Sequence, residues 1–252
     1  MDQIAIVIGA SGGISQTIIK QLVADKTISK IIGISRSTVS HIENNALEKE
    51  NKVTWLSSDY SEESIEANVK FLQEYKGQIS RVFITNGILQ TDNIKPERAL
   101  KGINTSDLHD VFHVNAVIPI LWLSALTPLL SHKDKAEACV VSVFSARVGS
   151  IEDNKLGGWH SYRASKAALN MLLKGASIEF DRNRKNIRLI AFHPGTTDTP
   201  LSKPFQASVA KDKLFTPEFV ANQLIGIMND LAVMPTAKSI NYLDWDNQPI
   251  AW

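Results

Sequence analysis

The sequence predicts one doubly wound α/β domain, residues 1–252, with a mostly parallel seven-stranded sheet and helices on both faces. Short β-branched runs alternate along the chain with longer segments of helical periodicity, the pattern of strand–helix–strand repetition with right-handed crossovers. The central runs are apolar on consecutive residues, as strands are when helices cover both faces of their sheet. The chain of 252 residues contains no internal repeat, low-complexity tract or linker-like change of composition, so a single core is expected.

The predicted strands, in order, are 3–9, 30–35, 52–58, 81–86, 137–145, 187–193 and 239–243. Helical patterns lie near 13–25, 61–75, 106–131, 160–183 and 217–231. Pro119 falls inside the third of these. Its ring presses on the carbonyl of Asn115 and it has no N–H to give, so a kink is expected there, with that carbonyl free to meet water. In such sheets ligands bind beyond the carboxyl ends of the strands, so the residues following each strand become the candidate site.

Strand one runs into Gly9-Ala10-Ser11-Gly12-Gly13-Ile14-Ser15 and then a helix. Glycines there let the backbone turn tightly and approach a pyrophosphate, which meets the positive end of the helix. This points to a dinucleotide, with Gly9, Ser11, Gly13 and Ile14 as contacts. Strand two ends in Ser35-Arg36-Ser37, with none of the acidic side chains that hold the adenosine ribose of NAD. A guanidinium beside hydroxyls suits a 2′-phosphate, so NADP(H) is favoured over NAD(H). Asp59-Tyr60 and Asn86-Gly87, after strands three and four, fall where the adenine end would lie, although Asp, Asn and Gly serve equally as turn residues.

Tyr162 and Lys166 are four residues apart at the start of a helix and share one face. A lysine beside a tyrosine favours the phenolate and fits the phenol for acid–base work. Ser142 and Ser145 end strand five, and His193-Pro194-Gly195-Thr196-Thr197-Asp198-Thr199 follows strand six, at the same sheet edge.

The Gly-rich turn, Asn86-Gly87, Asn115, the serine, Tyr-x-x-x-Lys and Pro194-Gly195 with Thr199 occur in the order of the short-chain dehydrogenase/reductase family, which the chain resembles over essentially its whole length. The segments KPERALKGI, SARVGSI, GGWHSYRASKAALNML and LDWDNQPIAW are similar to the C-factor-like and sniffer-like carbonyl reductase branch of that Rossmann-type family. The resemblance implies an oxidoreductase moving hydride between NADP(H) and a small-molecule carbonyl or alcohol substrate. Tyr162 would be the proton donor. Lys166 would hold the nicotinamide ribose, and Asn115 would anchor a water relay behind it. Ser145 would bond the substrate oxygen, and Pro194, Gly195, Thr197 and Thr199 would surround the carboxamide and phosphate region. It also implies a homodimer or homotetramer formed through the helices near 106–131 and 160–183.

Three positions depart from the family pattern: Ile8 replaces a threonine, Ser15 replaces the third glycine, and counting back from Gly149 puts Ala146 in the serine slot. A cofactor-binding regulatory protein is therefore the alternative function. Trp159, Gly157-Gly158 and the loop 198–216 are expected to wall the substrate pocket.

Composition bounds the rest. A net charge of +1 offers no bulk attraction for nucleic acid or anionic lipid, and six histidines show no ligand-like spacing, so no metal is expected. The single cysteine, Cys139, lies in an apolar run, reads as a buried side chain, and suits a reducing compartment. The start of the chain enters a strand at once, without a signal-peptide pattern, and the longest apolar stretch reads as too short and interrupted to span a bilayer, so a cytoplasmic location is expected.

Overall fold

The computed structural model describes residues 3–36, 52–130, 137–234 and 239–252. Ser37 lies outside the described residues.

Seven strands form one sheet: β1 (Gln3–Ile8), β2 (Ile28–Ser35), β3 (Val53–Ser57), β4 (Ile79–Ile84), β5 (Cys139–Phe144), β6 (Ile187–His193) and β9 (Ile240–Asp244). Their order is β3-β2-β1-β4-β5-β6-β9, and every neighbouring pair is parallel. The chain winds outward from β1 in one direction to β3, then returns and winds the other way from β4. The switch point lies between β1 and β4, where a crevice opens at their carboxyl ends.

Strand alternation feeds two cores. Ile4, Ile6 and Ile8 of β1, with Cys139, Val141 and Val143 of β5, pack toward α2 (Glu62–Leu72), α4 (Ile118–Leu130) and α5 (His160–Arg182). Ala5 and Val7, with Val140 and Phe144, pack toward α1 (Gly13–Ala24) and α6 (Pro217–Val233). Each fully buried Ile or Leu contributes about 1.5–3 kcal/mol, so burial on both faces is what makes these strands apolar throughout.

The predicted helix over 106–131 is not one α-helix. It runs as α3 (Thr105–Phe112), a π-helical turn over His113–Val117, and α4, with the Ile118 N–H reaching back five residues to the His113 carbonyl. The turn immediately precedes Pro119, whose missing N–H already breaks the regular ladder. The whole stretch Thr105–Leu130 is long and apolar enough by length and composition to cross a membrane, contrary to the sequence expectation. Half of its most apolar part is buried here, where Trp122, Leu123, Leu126 and Leu129 fill the core. Also unforeseen is a small second sheet, in which β7 (Thr196–Thr197) pairs with β8 (Leu214–Phe215) and ties down the segment after β6.

Candidate functional site

At the switch point a cleft of about 340 Å³ opens between the β1–α1 turn, the ends of β4 and β5, the start of α5 and the segment 194–202. The β1–α1 turn forms because Gly9 adopts φ +81°, and a Cβ there would meet the Thr85 hydroxyl at 2.4 Å. Helices α2, α3 and α6 are capped by the side chains of Ser61, Asn104 and Thr216, whereas α1 has Gly12 at its cap position and no side-chain cap. The first amides of α1 therefore face the cleft unpartnered by side chains, the arrangement that holds a phosphate. Ser11, Gly13 and Ile14 line the cleft with Gly12 and Ser15.

Ser15, in the place of the third glycine, is 1% exposed, and its hydroxyl lies 2.8 Å from that of Thr85. Thr85 donates its single proton to the Ile8 carbonyl at 2.7 Å, so Ser15 donates to Thr85. The substitution thus joins the turn to the end of β4. Sequence reasoning missed Thr85, whose only signal was its place beside Asn86.

Asn86 and Gly87 also line the cleft, and the Asn86 Oδ1 is buried without a protein partner. Tyr60, in the left-handed conformation at φ 70°, is buried; burial pushes its phenol up, against the opposing pull of Asn86, Arg36 and the Gly9 backbone. The structure thus brings Gly9, Arg36, Tyr60 and Asn86 into one neighbourhood. Ser35 is 0% exposed at the end of a central strand, so its hydroxyl is not presented to a ligand, and Arg36 is the exposed group. Asp59 is fully exposed and accepts hydrogen bonds from the Ser61 N–H at 2.9 Å and the Ser61 hydroxyl at 2.7 Å. Its carboxylate shapes the turn into α2 and is held below the usual range by that same Ser61.

Tyr162 and Lys166 sit in the first two turns of α5. The helix comes this close to β5 because Gly149 has no side chain: a Cβ there would lie 2.7 Å from the Lys166 Cβ and 2.9 Å from the Lys166 carbonyl carbon. Lys166 is 2% exposed and donates from Nζ to the Phe144 carbonyl at 2.8 Å. A Cβ on Gly87 would come within 3.4 Å of that ammonium. Burial lowers the Lys166 pKa to about 7. Burial also raises the Tyr162 phenol, with Tyr242 adding to the rise. The ammonium is 5.9 Å from the centre of the Tyr162 ring and is bonded to the Phe144 carbonyl, and burial dominates the shift of each group.

Asn115 is 0% exposed within the π-helical turn. Its Oδ1 accepts from the Ile88 N–H at 2.8 Å, and its Nδ2 donates to the Ile88 carbonyl at 2.9 Å and to Ser165 Oγ at 3.1 Å. Ser165 in turn donates to the Tyr162 carbonyl at 2.8 Å. Asn115 therefore fastens the segment after β4 to the turn of α5 that carries Tyr162. Its amide is fully engaged there, and its main-chain carbonyl is the group left for any relay.

The two candidate serines separate by strand alternation. Ser142 lies between Val141 and Val143, which face α5, so its own side chain faces away from Tyr162 and Lys166. Ser145 lines the cleft on the α5 side, but its hydroxyl is 2.6 Å from Asn170 Oδ1 and only 3% of the residue is exposed. Ala146 offers no hydroxyl, and its carbonyl receives the Tyr242 phenol at 2.6 Å.

Pro194, Gly195, Thr197 and Thr199 close the cleft, with Gly195 in the left-handed region at φ 71°. Ser202, also in the lining and not foreseen individually, is hydrogen-bonded to the carbonyls of Thr197 and Thr199 and so folds this segment back on itself. Trp159 stands edge-on to Tyr162 with ring centres 6.4 Å apart, and Phe205 packs against Trp159 at 5.1 Å. Among the described residues no three His, Cys, Asp or Glu side chains gather as metal ligands.

The model of the short chain dehydrogenase family matches residues 3–210. The chain is 30% identical over 171 residues, 68% of its length and 69% of the relative's, to 1-hydroxy-2-glutathionyl-2-methyl-3-butene dehydrogenase of Rhodococcus sp. strain AD45. Carbonyl reductase Sniffer of D. melanogaster superposes with a TM-score of 0.84 at 20% identity, over the whole of both chains. The NADPH-bound carbonyl reductase from chicken fatty liver superposes with a TM-score of 0.83 at 20% identity, over 100% of this chain and 99% of that one. The fold, the uncapped glycine turn and the Tyr162–Lys166 pair thus meet in a match spanning most of the chain, which belongs to the short-chain dehydrogenase family of oxidoreductases.

Proposed function

We propose that this oxidoreductase transfers hydride between NADP(H) and a carbonyl or alcohol substrate, with Tyr162 as general acid and base. The observation that carries the reading is the Tyr162–Lys166 pair on one face of α5 at the wall of the switch-point cleft. The cleft fits a dinucleotide on three features: the uncapped first turn of α1, the left-handed Gly9, and the orphaned Asn86 Oδ1. The bound nicotinamide supplies or accepts the hydride. Ser11, Gly13 and Ile14 would hold its pyrophosphate, Arg36 a 2′-phosphate, Tyr60 and Asn86 the adenine end, and Lys166, Pro194, Gly195, Thr197 and Thr199 the nicotinamide end. NADP(H)-bound carbonyl reductases among the structural neighbours agree with that choice of cofactor.

The proton chemistry belongs to the chain itself. Tyr162 keeps its proton at neutral pH, because burial disfavours the phenolate, and so arrives as an acid for a carbonyl oxygen gaining charge. Lys166, with a pKa near 7, can return a proton toward the phenolate that remains. Asn115 fixes the start of α5 through Ser165, holding the donor in place.

The test is oxidation of NADPH with a panel of ketones, aldehydes and quinones, run beside Tyr162→Phe. We expect turnover that falls by at least a thousandfold in the variant, with NADPH binding changed less than threefold. NADPH binding without turnover of any carbonyl compound would favour a cofactor-binding regulator. The observation behind that second reading is Ala146 in the serine slot, with the Ser145 hydroxyl directed to Asn170.

Self-association through α4 and α5 belongs to the same proposal. Val117, in the turn leading into α4, and Met171, Leu172 and Ile178 of α5 are exposed, Met171 at 71%. A homodimer or homotetramer would cover them.

A further inference from the structure

Immediately before α5 the chain makes a left-handed run: Gly157, Gly158 and Trp159 have φ of 64°, 67° and 49°. Glycine adopts this conformation freely; tryptophan does so only when its surroundings impose it. Here the surroundings are one residue, Glu97, from the segment before α3. Its main-chain carbonyl accepts the Trp159 N–H at 2.5 Å. Its carboxylate accepts the Ser161 N–H at 3.2 and 3.3 Å and also the Ser161 hydroxyl. Arg163 Nε closes the turn on the Gly158 carbonyl at 2.9 Å.

Glu97 is 7% exposed, and among the described residues neither ion pair includes it. A buried carboxylate with no paired cation must be held by hydrogen bonds, and both oxygens of this one go to the first turn of α5. Trp159, the residue preceding that helix, provides no side-chain cap. Glu97 therefore does two jobs with one side chain. It caps the helix that carries Tyr162 and Lys166, and it fixes the conformation that sets the Trp159 ring.

The ring's position gives that fixation its meaning. Trp159 meets the Tyr162 ring at 78°, edge to face, and Phe205 lies on Trp159 at 59°. Phe205 rides on the 3-10 turn Lys203–Ser208, which continues the cleft-lining residues Thr199 to Ser202. Three aromatic rings thus run outward from Tyr162, which lines the cleft, to Trp159 and Phe205, which stand beyond its lining residues.

We propose that this wall selects carbonyl compounds bearing an aryl group, packed against Trp159 and Phe205, and that Glu97 is the positioning residue that keeps the wall standing. The proposal rests on the carbonyl-reductase reading for where the substrate lies. An aryl group against such rings gains an offset-stacked or edge-to-face contact that a saturated ring of equal size cannot make.

The experiment compares acetophenone with cyclohexyl methyl ketone by calorimetric binding to the full chain saturated with NADP+, a complex in which no reduction occurs. The wild type should bind the aryl ketone about two- to tenfold more tightly. Trp159→Leu should bring the two affinities to parity, Trp159→Phe should restore most of the preference, and Phe205→Leu should halve it. Glu97→Ala should also lose the preference while NADP+ affinity stays within threefold, whereas mere destabilisation would lower both ketone affinities equally. Should Trp159→Leu fail to fold, the Phe205 and Glu97 variants decide alone. A preference unchanged in Trp159→Leu or Phe205→Leu, or no aryl preference in the wild type, overturns the wall; a preference kept in Glu97→Ala overturns the positioning role. Selective ketone binding without any NADPH-dependent reduction would leave the wall intact and refute the reductase reading instead.

Discussion

Replacing Lys166 by methionine should stabilise the cofactor-free protein while removing its activity. Methionine keeps an unbranched stem of similar length and discards the ammonium. Lys166 is 2% exposed and its neighbourhood offers one acceptor, the Phe144 carbonyl, and no carboxylate partner. Lowering its pKa from 10.5 to about 7 corresponds to roughly 4–5 kcal/mol of instability at neutral pH. The variant leaves the Phe144 carbonyl without this donor, which costs about 1–3 kcal/mol. The net gain is then about 1–4 kcal/mol, or roughly 2–16 °C in Tm for a chain of this size.

The pH dependence separates this account from a simple packing effect. The folded pKa lies below the unfolded value, so between pH 7 and 10.5 the unfolded chain holds the proton more firmly than the folded one. Raising pH through that window therefore stabilises the wild type relative to the variant, and the gap narrows toward pH 10.5. Urea unfolding of both proteins at a series of pH values without cofactor measures it. A variant less stable than the wild type at pH 7, with a difference that does not change up to pH 10, refutes the reasoning.

Two further outcomes follow from the cleft. NADPH should bind at least tenfold more tightly than NADH, and Arg36→Ala should erase most of that difference, since a charge-assisted contact is worth about 1.5–3 kcal/mol; equal affinities in the wild type, read by fluorescence titration, would remove Arg36 from the site. Ser145→Ala should lower kcat more than Ser142→Ala, which should act only on stability, because strand alternation turns Ser142 away from α5; steady-state kinetics with the best carbonyl substrate reads both.

The sheet was legible because its strands are buried on both faces, and a run such as Ile4 to Ile8 admits few other readings. The Gly9 turn and the Tyr162–Lys166 pair were legible because their chemistry is local, fixed by conformation or by spacing on one helix. Contacts between distant segments were not. Glu97 reaches Ser161 across 64 residues and Ser15 meets Thr85 across 70, and neither pairing leaves a mark in its own neighbourhood of sequence. The π-helical turn was half legible: Pro119 announced a break near Asn115, but a proline does not say whether the helix kinks or takes in an extra residue. The same limit applies at Asp59 and Ser35. Position after a strand predicts proximity to the cleft, whereas the burial of Ser35 and the bonds that Asp59 accepts from Ser61 decide where the polar atoms are used.

The departures from the family pattern have different physical consequences. Ser15 is absorbed into the structure: its hydroxyl enters a chain through Thr85 to the Ile8 carbonyl and adds a tie at the point where the turn must hold its shape. Ala146 is not compensated in that way, because among the described residues no neighbouring hydroxyl is left with a free proton pointing toward Tyr162. Ser142 is on the wrong face, Tyr242 gives its proton to the Ala146 carbonyl, and Ser145 gives its own to Asn170. Asn170 stands two helical turns after Tyr162 and one after Lys166, on the same stripe of α5, so the Ser145–Asn170 bond draws the end of β5 toward the face of that helix that carries Tyr162 and Lys166. Its role in the absence of substrate is to hold that geometry. The proton need not be lost to the chemistry, however, since a serine hydroxyl turns about a single bond and an oxygen carrying negative charge is a stronger acceptor than a neutral amide. Developing charge on a substrate oxygen beside Tyr162 could therefore capture the Ser145 proton from Asn170, giving a transition-state contact from a group that the resting site keeps engaged.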